Sequence, residues 1–274
     1  MSRQTIGSVF KLATAIVAIW VFASATTSVA EVTESTQFGA KRLDFTVGET
    51  AGFVIVPPVL KHDSEQPWLW YAPTFIGHLP DPSHAFYFEP LLEAGFFIAG
   101  VDVGESYGSP KGTAQYQTFY EHIVKTYGLS PKATLLPQSR GGLMLYNWAA
   151  EHPDSVAGIA GIYTVCNLAS YPGLGNAAPA FEFTTEQLAA DLTKYNPIDR
   201  TAPLVAAKVP IFHIHGDSDT VVPNEDNAGE LVKRYKTAGG EAAIKVVPGK
   251  GHEVCDEFFR DGEFLAFILM HGRN

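Results

Sequence analysis

Ser139, Asp219 and His252 occur in the order nucleophile, acid, base, and each stands just after a short apolar run. A serine hydroxyl is a weak nucleophile at neutral pH until an imidazole accepts its proton. That imidazole needs a carboxylate to fix its tautomer and stabilise its charged form. Ser139 lies in PQSRGG (137–142), between an apolar run at 133–136 and a helical pattern at 141–151. A serine on such a tight strand-to-helix turn is driven to the sheet edge. The glycines after it let the helix pack close, and the helix N-terminus turns its free N–H groups toward a developing oxyanion. Asp219 lies in HGDSDTVVP (215–223) after the run 209–214, and His252 in PGKGHEV (248–254) after the run 243–247. Asp217 is the rival acid, in the first part of its turn, and Asp219 is the expected one. Glu253, beside His252, is expected to face solvent.

Supporting roles follow from the same loops. The Arg140 amide is the expected first oxyanion donor. The second is expected from the loop after 68–72, from Thr74 or Phe75, because Pro73 has no N–H. The Arg140 side chain has two readings: a contact to substrate or oxyanion, or a tie between the turn and a neighbouring acid. Phe75 and Tyr107 are the candidate substrate contacts, although Gly104 and Gly108 beside Tyr107 also suit a turn built for backbone geometry. The alternation HxHxDxD at 213–219 invites a metal, but a dinuclear pattern wants histidine directly after the aspartate and Ser218 stands there. No metal and no cofactor is expected. His213 and Trp148 read as core; His78, His84, His122 and His152 read as surface or loop residues.

The elements that must position these residues alternate along the chain. Strands are expected at 68–72, 96–101, 133–136, 156–162, 209–214 and 243–247, with an N-terminal hairpin at 42–47 and 53–56. Helices are expected near 86–94, 113–127, 141–151, 185–195, 225–238 and 256–270. Strands apolar on both faces, alternating with helices, predict an α/β fold with a mostly parallel, doubly wound sheet. Such sheets hold ligands at the carboxyl ends of their strands, where all three chemical residues fall. The interval 164–208 is too long for a simple crossover and is expected to be a cap-like insertion over that edge.

The 274 residues include 19 Lys+Arg against 29 Asp+Glu, for a net charge of −10. An acidic chain without a basic cluster argues against a nucleic-acid partner. Residues 1–30 carry Arg3, Lys11, an apolar run at 12–25 and small residues near Ala30, the pattern of a secretory signal peptide. An uncleaved anchor is the alternative, but the run is shorter than the roughly 20 residues a spanning helix needs. The expectation is a secreted or periplasmic protein with one domain at 31–274 and no stable membrane insertion after cleavage. In that compartment Cys166 and Cys255 are expected to pair in a disulfide; two buried thiols are the alternative.

The three loops together resemble the α/β-hydrolase superfamily, from about Trp68 to the C-terminus. In that superfamily HGDSDTVVP looks like the acid loop, with Asp219 at the acid's spacing from the His-Gly pair, and PGKGHEV looks like the histidine loop. The departure is PQSRG in place of GxSxG, with Pro137 where the first glycine usually stands. The serine, arginine, glycine turn is similar to that of secreted, polysaccharide-linked bacterial hydrolases, and an arginine beside the nucleophile strengthens the oxyanion hole in some carbohydrate esterases. The resemblance implies a serine carboxylic-ester hydrolase working through an acyl-enzyme on a small ester or an acylated carbohydrate. A peptidase similar to the prolyl oligopeptidase catalytic domain is one alternative, ranked below the esterase on the expectation that its propeller is missing here. A non-catalytic hydrolase-fold binder, kept open by Pro137, is the other.

Overall fold

The computed structural model describes residues 1, 32–60 and 66–273. The expected signal peptide therefore falls, but for Met1, outside the described residues. Nine strands form one sheet: β1 (Thr33–Gln37), β2 (Ala40–Val47), β3 (Thr50–Val56), β4 (Trp68–Ala72), β5 (Phe97–Asp102), β6 (Ala133–Pro137), β7 (Val156–Ile162), β8 (Ile211–Gly216) and β9 (Ala242–Val247), in spatial order 1-2-3-5-4-6-7-8-9. The first three form an antiparallel meander that joins β5 antiparallel, and every pairing from β5 to β9 is parallel. The sheet is thus mostly parallel, as the apolar runs predict. Within the polar stretch at 31–41, which carries no strand signal, residues 33–37 form β1 and are largely exposed. Edge pairing needs only backbone groups, so apolar periodicity misses it.

Alternation along each strand sends side chains to two cores. Trp68, Trp70 and Ala72 of β4 face one; Leu69 and Tyr71 face the other. The first core is closed by α2 (Pro110–Tyr127) and α3 (Gly141–Glu151), whose Tyr116, Phe119 and Trp148 surround the indole of Trp70. The second is closed by α1 (Ala85–Glu93) and, at the far end of the chain, α9 (Gly262–His271), through Phe88, Leu91, Phe264 and Ile268.

Between β7 and β8 run α4 (Leu174–Ala177), α5 (Thr185–Ala190) and α6 (Ala202–Ala206), short helices within the 164–208 interval. Apolar residues of α4 and α5 join Leu143 and Val222 in a third, smaller cluster, whereas Leu204 of α6 packs into the first core. α7 (Ala228–Thr237) links β8 to β9. The single helix expected at 256–270 is two, α8 (Asp256–Phe259) and α9, because Asp261 caps the second by accepting from the Phe264 amide at 2.8 Å. Among the described residues no helix is long and apolar enough to cross a membrane.

Candidate active site

The site begins with the turn between β6 and α3. Backbone bonds pin it on both sides: the Gln138 amide donates to Ala72 O at 2.9 Å, and the Ser139 amide to Ile162 O at 3.1 Å. Ser139 has φ +52°, a left-handed conformation that costs a non-glycine residue on the order of 1–3 kcal/mol. The packing of the following glycines holds it there. A Cβ on Gly141 would sit 1.8 Å from Ala72 O, and one on Gly142 2.2 Å from Val165 O. Pro137 ends β6 buried opposite Ala72. The close approaches fall after the serine, so the turn forms with proline in the position of the usual first glycine.

The strand ends bring the three expected side chains into one line. Ser139 Oγ lies 2.9 Å from His252 Nε2, and His252 Nδ1 lies 2.8 Å from Asp219 Oδ2. β8 and β9 deliver the last two: the Asp217 amide donates to Val247 O and the Ser218 amide to Lys250 O. A Cβ on Gly216 would meet Lys250 O at 2.0 Å, so that glycine lets the two loops touch. Asp219 Oδ1 accepts from the amides of Val221 and Val222 at 3.0 and 2.8 Å, and Oδ2 also faces His215 Nε2 at 3.3 Å. Burial pushes the Asp219 carboxyl up, but hydrogen bonds from His215, Val222 and His252 outweigh it and hold the group at about 2. Asp217 accepts instead from the Gly249 amide at 2.7 Å and bonds Ser218, so it braces the histidine loop.

The Arg140 guanidinium pairs with Glu105 and donates through Nε to Thr74 Oγ1 at 3.0 Å, the tie to a neighbouring acid. The same bond draws the Thr74 loop alongside the turn. Burial raises the Glu105 carboxyl, against the pull of Arg140. The amides of Arg140 and Thr74 are taken by no protein acceptor among the described residues.

A cleft of 450 Å³ opens on Ser139 and His252, with Phe75, Ile76, Leu79 and Val254 as its apolar wall and Gln138 and Tyr163 on its polar side. Phe75 stands at its rim, 47% exposed. Tyr107 does not line it. Its φ is +49°, it packs against the third cluster, and it interacts with Glu105 and Arg140. None of the residues lining this cleft comes from 164–208.

Three further readings meet the structure differently. Cys166 and Cys255 are free thiols and form no disulfide. Cys166 is buried in the core under α3 and Cys255 packs against the opposite core, so the sheet separates them. His213 is buried and bonds Tyr146 Oη at 2.7 Å; burial and the neighbouring His215 hold it down at about 3. His84 is no surface residue. It is 1% exposed and bonds Gln138, a contact for which the sequence carries no signal, since a polar residue on a loop between apolar runs reads as solvated.

The prolyl oligopeptidase family matches residues 115–269, a span containing Ser139, Asp219 and His252. The acylamino-acid-releasing enzyme of Arabidopsis thaliana is 26% identical over 142 residues, covering 48% of this chain and 18% of that protein. The chain thus spans about a fifth of the curated relative it matches. Among solved structures, S-formylglutathione hydrolase from Agrobacterium tumefaciens superposes with a TM-score of 0.68 at 14% identity, over 88% of this chain and 98% of that one. Dipeptidyl peptidase 4 from Porphyromonas gingivalis gives 0.65 at 14% identity, over 88% of this chain and 35% of the peptidase.

Proposed function

The chain belongs to the prolyl oligopeptidase family and is a serine hydrolase of the α/β-hydrolase type; from that premise we propose that Ser139, His252 and Asp219 are its catalytic triad and that it cleaves carboxylic esters. The observation that carries the assignment is the unbroken hydrogen-bonded line from Ser139 Oγ through His252 to Asp219, at the mouth of a cleft.

Ser139 Oγ attacks the ester carbonyl carbon while its proton passes to His252 Nε2. The imidazolium so formed is stabilised by Asp219, which stays ionised throughout. The amides of Arg140 and Thr74 are the proposed donors to the tetrahedral oxyanion. Collapse of the intermediate expels the alkoxide, which takes the proton from Nε2 and leaves an acyl group on Ser139. Water then attacks the acyl carbon, giving its proton to the same nitrogen. The second collapse releases the carboxylic acid and returns the proton to Ser139. No cofactor enters the proposed sequence.

Esters are favoured by the cleft itself, whose apolar wall suits a compact acyl group beside Ser139. The exposed ring of Phe75 at the rim offers a flat apolar face to a sugar, which supports acyl groups on a polysaccharide as the substrate class. With residues 1–30 as a signal peptide, that substrate would be met outside the cytoplasm. The family favours a second reading, a peptidase. Turnover of 4-nitrophenyl acetate against proline 4-nitroanilide decides between them: the ester is expected to win, and faster anilide hydrolysis reverses the substrate assignment. Fluorophosphonate labelling that vanishes in Ser139→Ala tests catalysis itself.

A further inference from the structure

A second set of polar side chains reaches the same turn, with Gln138 and Tyr163 on the polar side of the cleft and the rest packed behind them. Gln138, the residue before Ser139, is 8% exposed. Its Oε1 accepts from Tyr71 Oη at 2.9 Å and from His84 Nε2 at 3.1 Å, and its Nε2 donates to Tyr163 Oη at 2.6 Å. His84 is anchored in turn: its Nδ1 lies 3.2 Å from both the carboxylate and the carbonyl oxygen of Asp81, and 3.3 Å from Ser83 Oγ. At the other end, the Tyr163 ring lies against the His252 imidazole, centroids 4.6 Å apart and planes at 57°. A continuous path of contacts thus runs from Asp81 through His84, Gln138 and Tyr163 to the imidazole.

Packing alone does not call for these residue types. Burying an amide, an imidazole and two phenols costs free energy unless each finds a partner, and apolar side chains of similar shape would fill the space between β4, β6 and α1 without that requirement. Hydrogen bonds add direction. Three of them fix the rotation of the Gln138 amide, and the amide fixes where the Tyr163 hydroxyl, and hence its ring, can lie. This bears on a freedom that the triad leaves open. The bonds from Nδ1 to Asp219 and from Nε2 to Ser139 hold the two nitrogens, but the ring can still tilt about the line joining them. The Tyr163 ring, packed against the imidazole, limits that tilt. Tyr163 itself has φ +35°, so the chain is held in a strained conformation at the residue that carries the platform.

We propose that Gln138 and Tyr163, clamped by His84 and Asp81, are positioning residues that set the tilt of His252 for proton transfer. The inference rests on the triad assignment above. Its test is steady-state turnover of 4-nitrophenyl acetate together with the rate and the final extent of fluorophosphonate labelling, on wild type, Tyr163→Phe, Gln138→Leu and the double variant. Tyr163→Phe keeps the ring and removes only the hydroxyl that Gln138 holds. Expected are a kcat about 10-fold lower in each single variant, in the range that small misplacements of a catalytic group produce, and a KM within about twofold of wild type. Labelling should be slower but reach the same extent, and the double variant should be no slower than Gln138→Leu, because both changes break the same bond. A merely structural role would lower the extent of labelling and leave its rate unchanged. Wild-type rates in Tyr163→Phe, or losses that multiply in the double variant, overturn the proposal. If folded wild type takes no label at all, the triad reading fails first and the proposal falls with it.

Discussion

Two aspartate–histidine pairs meet at adjacent residues of one turn. Asp219 and His252 end on the hydroxyl of Ser139, in a cleft open to solvent; Asp81 and His84 end on the amide of Gln138, a largely buried residue on the polar side of that cleft. The pairing of residue types is the same, and what differs is the atom at the end and access to it. A hydroxyl can give up its proton and bond to carbon, whereas an amide can only orient. The carboxylates differ as well. Asp219 is closed in by two backbone amides and two imidazoles, while Asp81 is partly exposed on its loop. An Asp–His pair is therefore no mark of catalysis by itself, and the residue it reaches gives it meaning.

The largest expected effects separate these pairs. Ser139→Ala or His252→Ala should lower kcat by roughly 10⁶, and Asp219→Asn by roughly 10⁴, with the far-ultraviolet circular dichroism unchanged. Asp217→Asn should cost less than about 10-fold, because among the described residues Asp217 bonds the Gly249 amide and Ser218 and not His252. If Asp217→Asn proves the more damaging of the two aspartate changes, the acid has been misassigned.

That Ser139, Asp219 and His252 come together was legible in the sequence, and the contacts of Asp81 and His84 with Gln138 were not, for a physical reason. Ser139, Asp219 and His252 each follow an apolar strand, and in a parallel sheet the ends of such strands converge at one edge whatever lies between them. Six parallel-sheet strands could be read from apolar runs for the same reason. His84 follows no strand. Its burial depends on how the 73–84 loop folds back over Gln138, a tertiary arrangement with no local signature. The disulfide expectation failed on the same ground. Cys166 and Cys255 both lie near the carboxyl edge of the sheet, but compartment and loop position say nothing about which face each thiol takes.

Both pairs depend on the one turn, so disturbing it should disable them together. Gly142→Ala places a methyl group 2.2 Å from Val165 O and from the Thr164 side chain. The helix must then move away from β7, at a cost on the order of 1–3 kcal/mol or more. The midpoint of urea unfolding should fall, and activity should fall with it. A Gly142→Ala enzyme with wild-type stability and kcat would mean that the close approach of α3 is not what holds residues 138 and 139 in place.

A histidine without an acid partner sharpens the contrast further. His213, held near 3, stays neutral in the folded protein while its unfolded counterpart takes up a proton below about 6.5. Its contribution to stability is therefore complete above pH 6.5 and declines as the pH falls toward 3, by about 1.4 kcal/mol per pH unit once well below 6.5. Asp219 behaves differently: its carboxyl is depressed to about 2, so its contribution persists to about pH 4 and is lost only on further acidification. Urea unfolding between pH 6 and 4.5 should thus be less pH-dependent in His213→Gln than in wild type. Equal slopes would show that another group governs acid sensitivity in that window.

The smallest expected effect concerns the thiols, and it is the one on which the two faces of the sheet can be told apart directly. Cys255 is partly exposed at the end of the histidine loop, whereas Cys166 is buried, and burial raises both thiols above their ordinary range. With no bond between them, reductant has nothing to release. Activity should be the same with and without dithiothreitol, Cys255→Ser should change kcat by less than about twofold, and a thiol reagent should titrate Cys255 in the folded protein but Cys166 only after unfolding. Should dithiothreitol lower activity while the secondary structure is retained, a covalent link would have to tie the loop of His252 across the sheet, and the opposed placement of the two cysteines would be wrong.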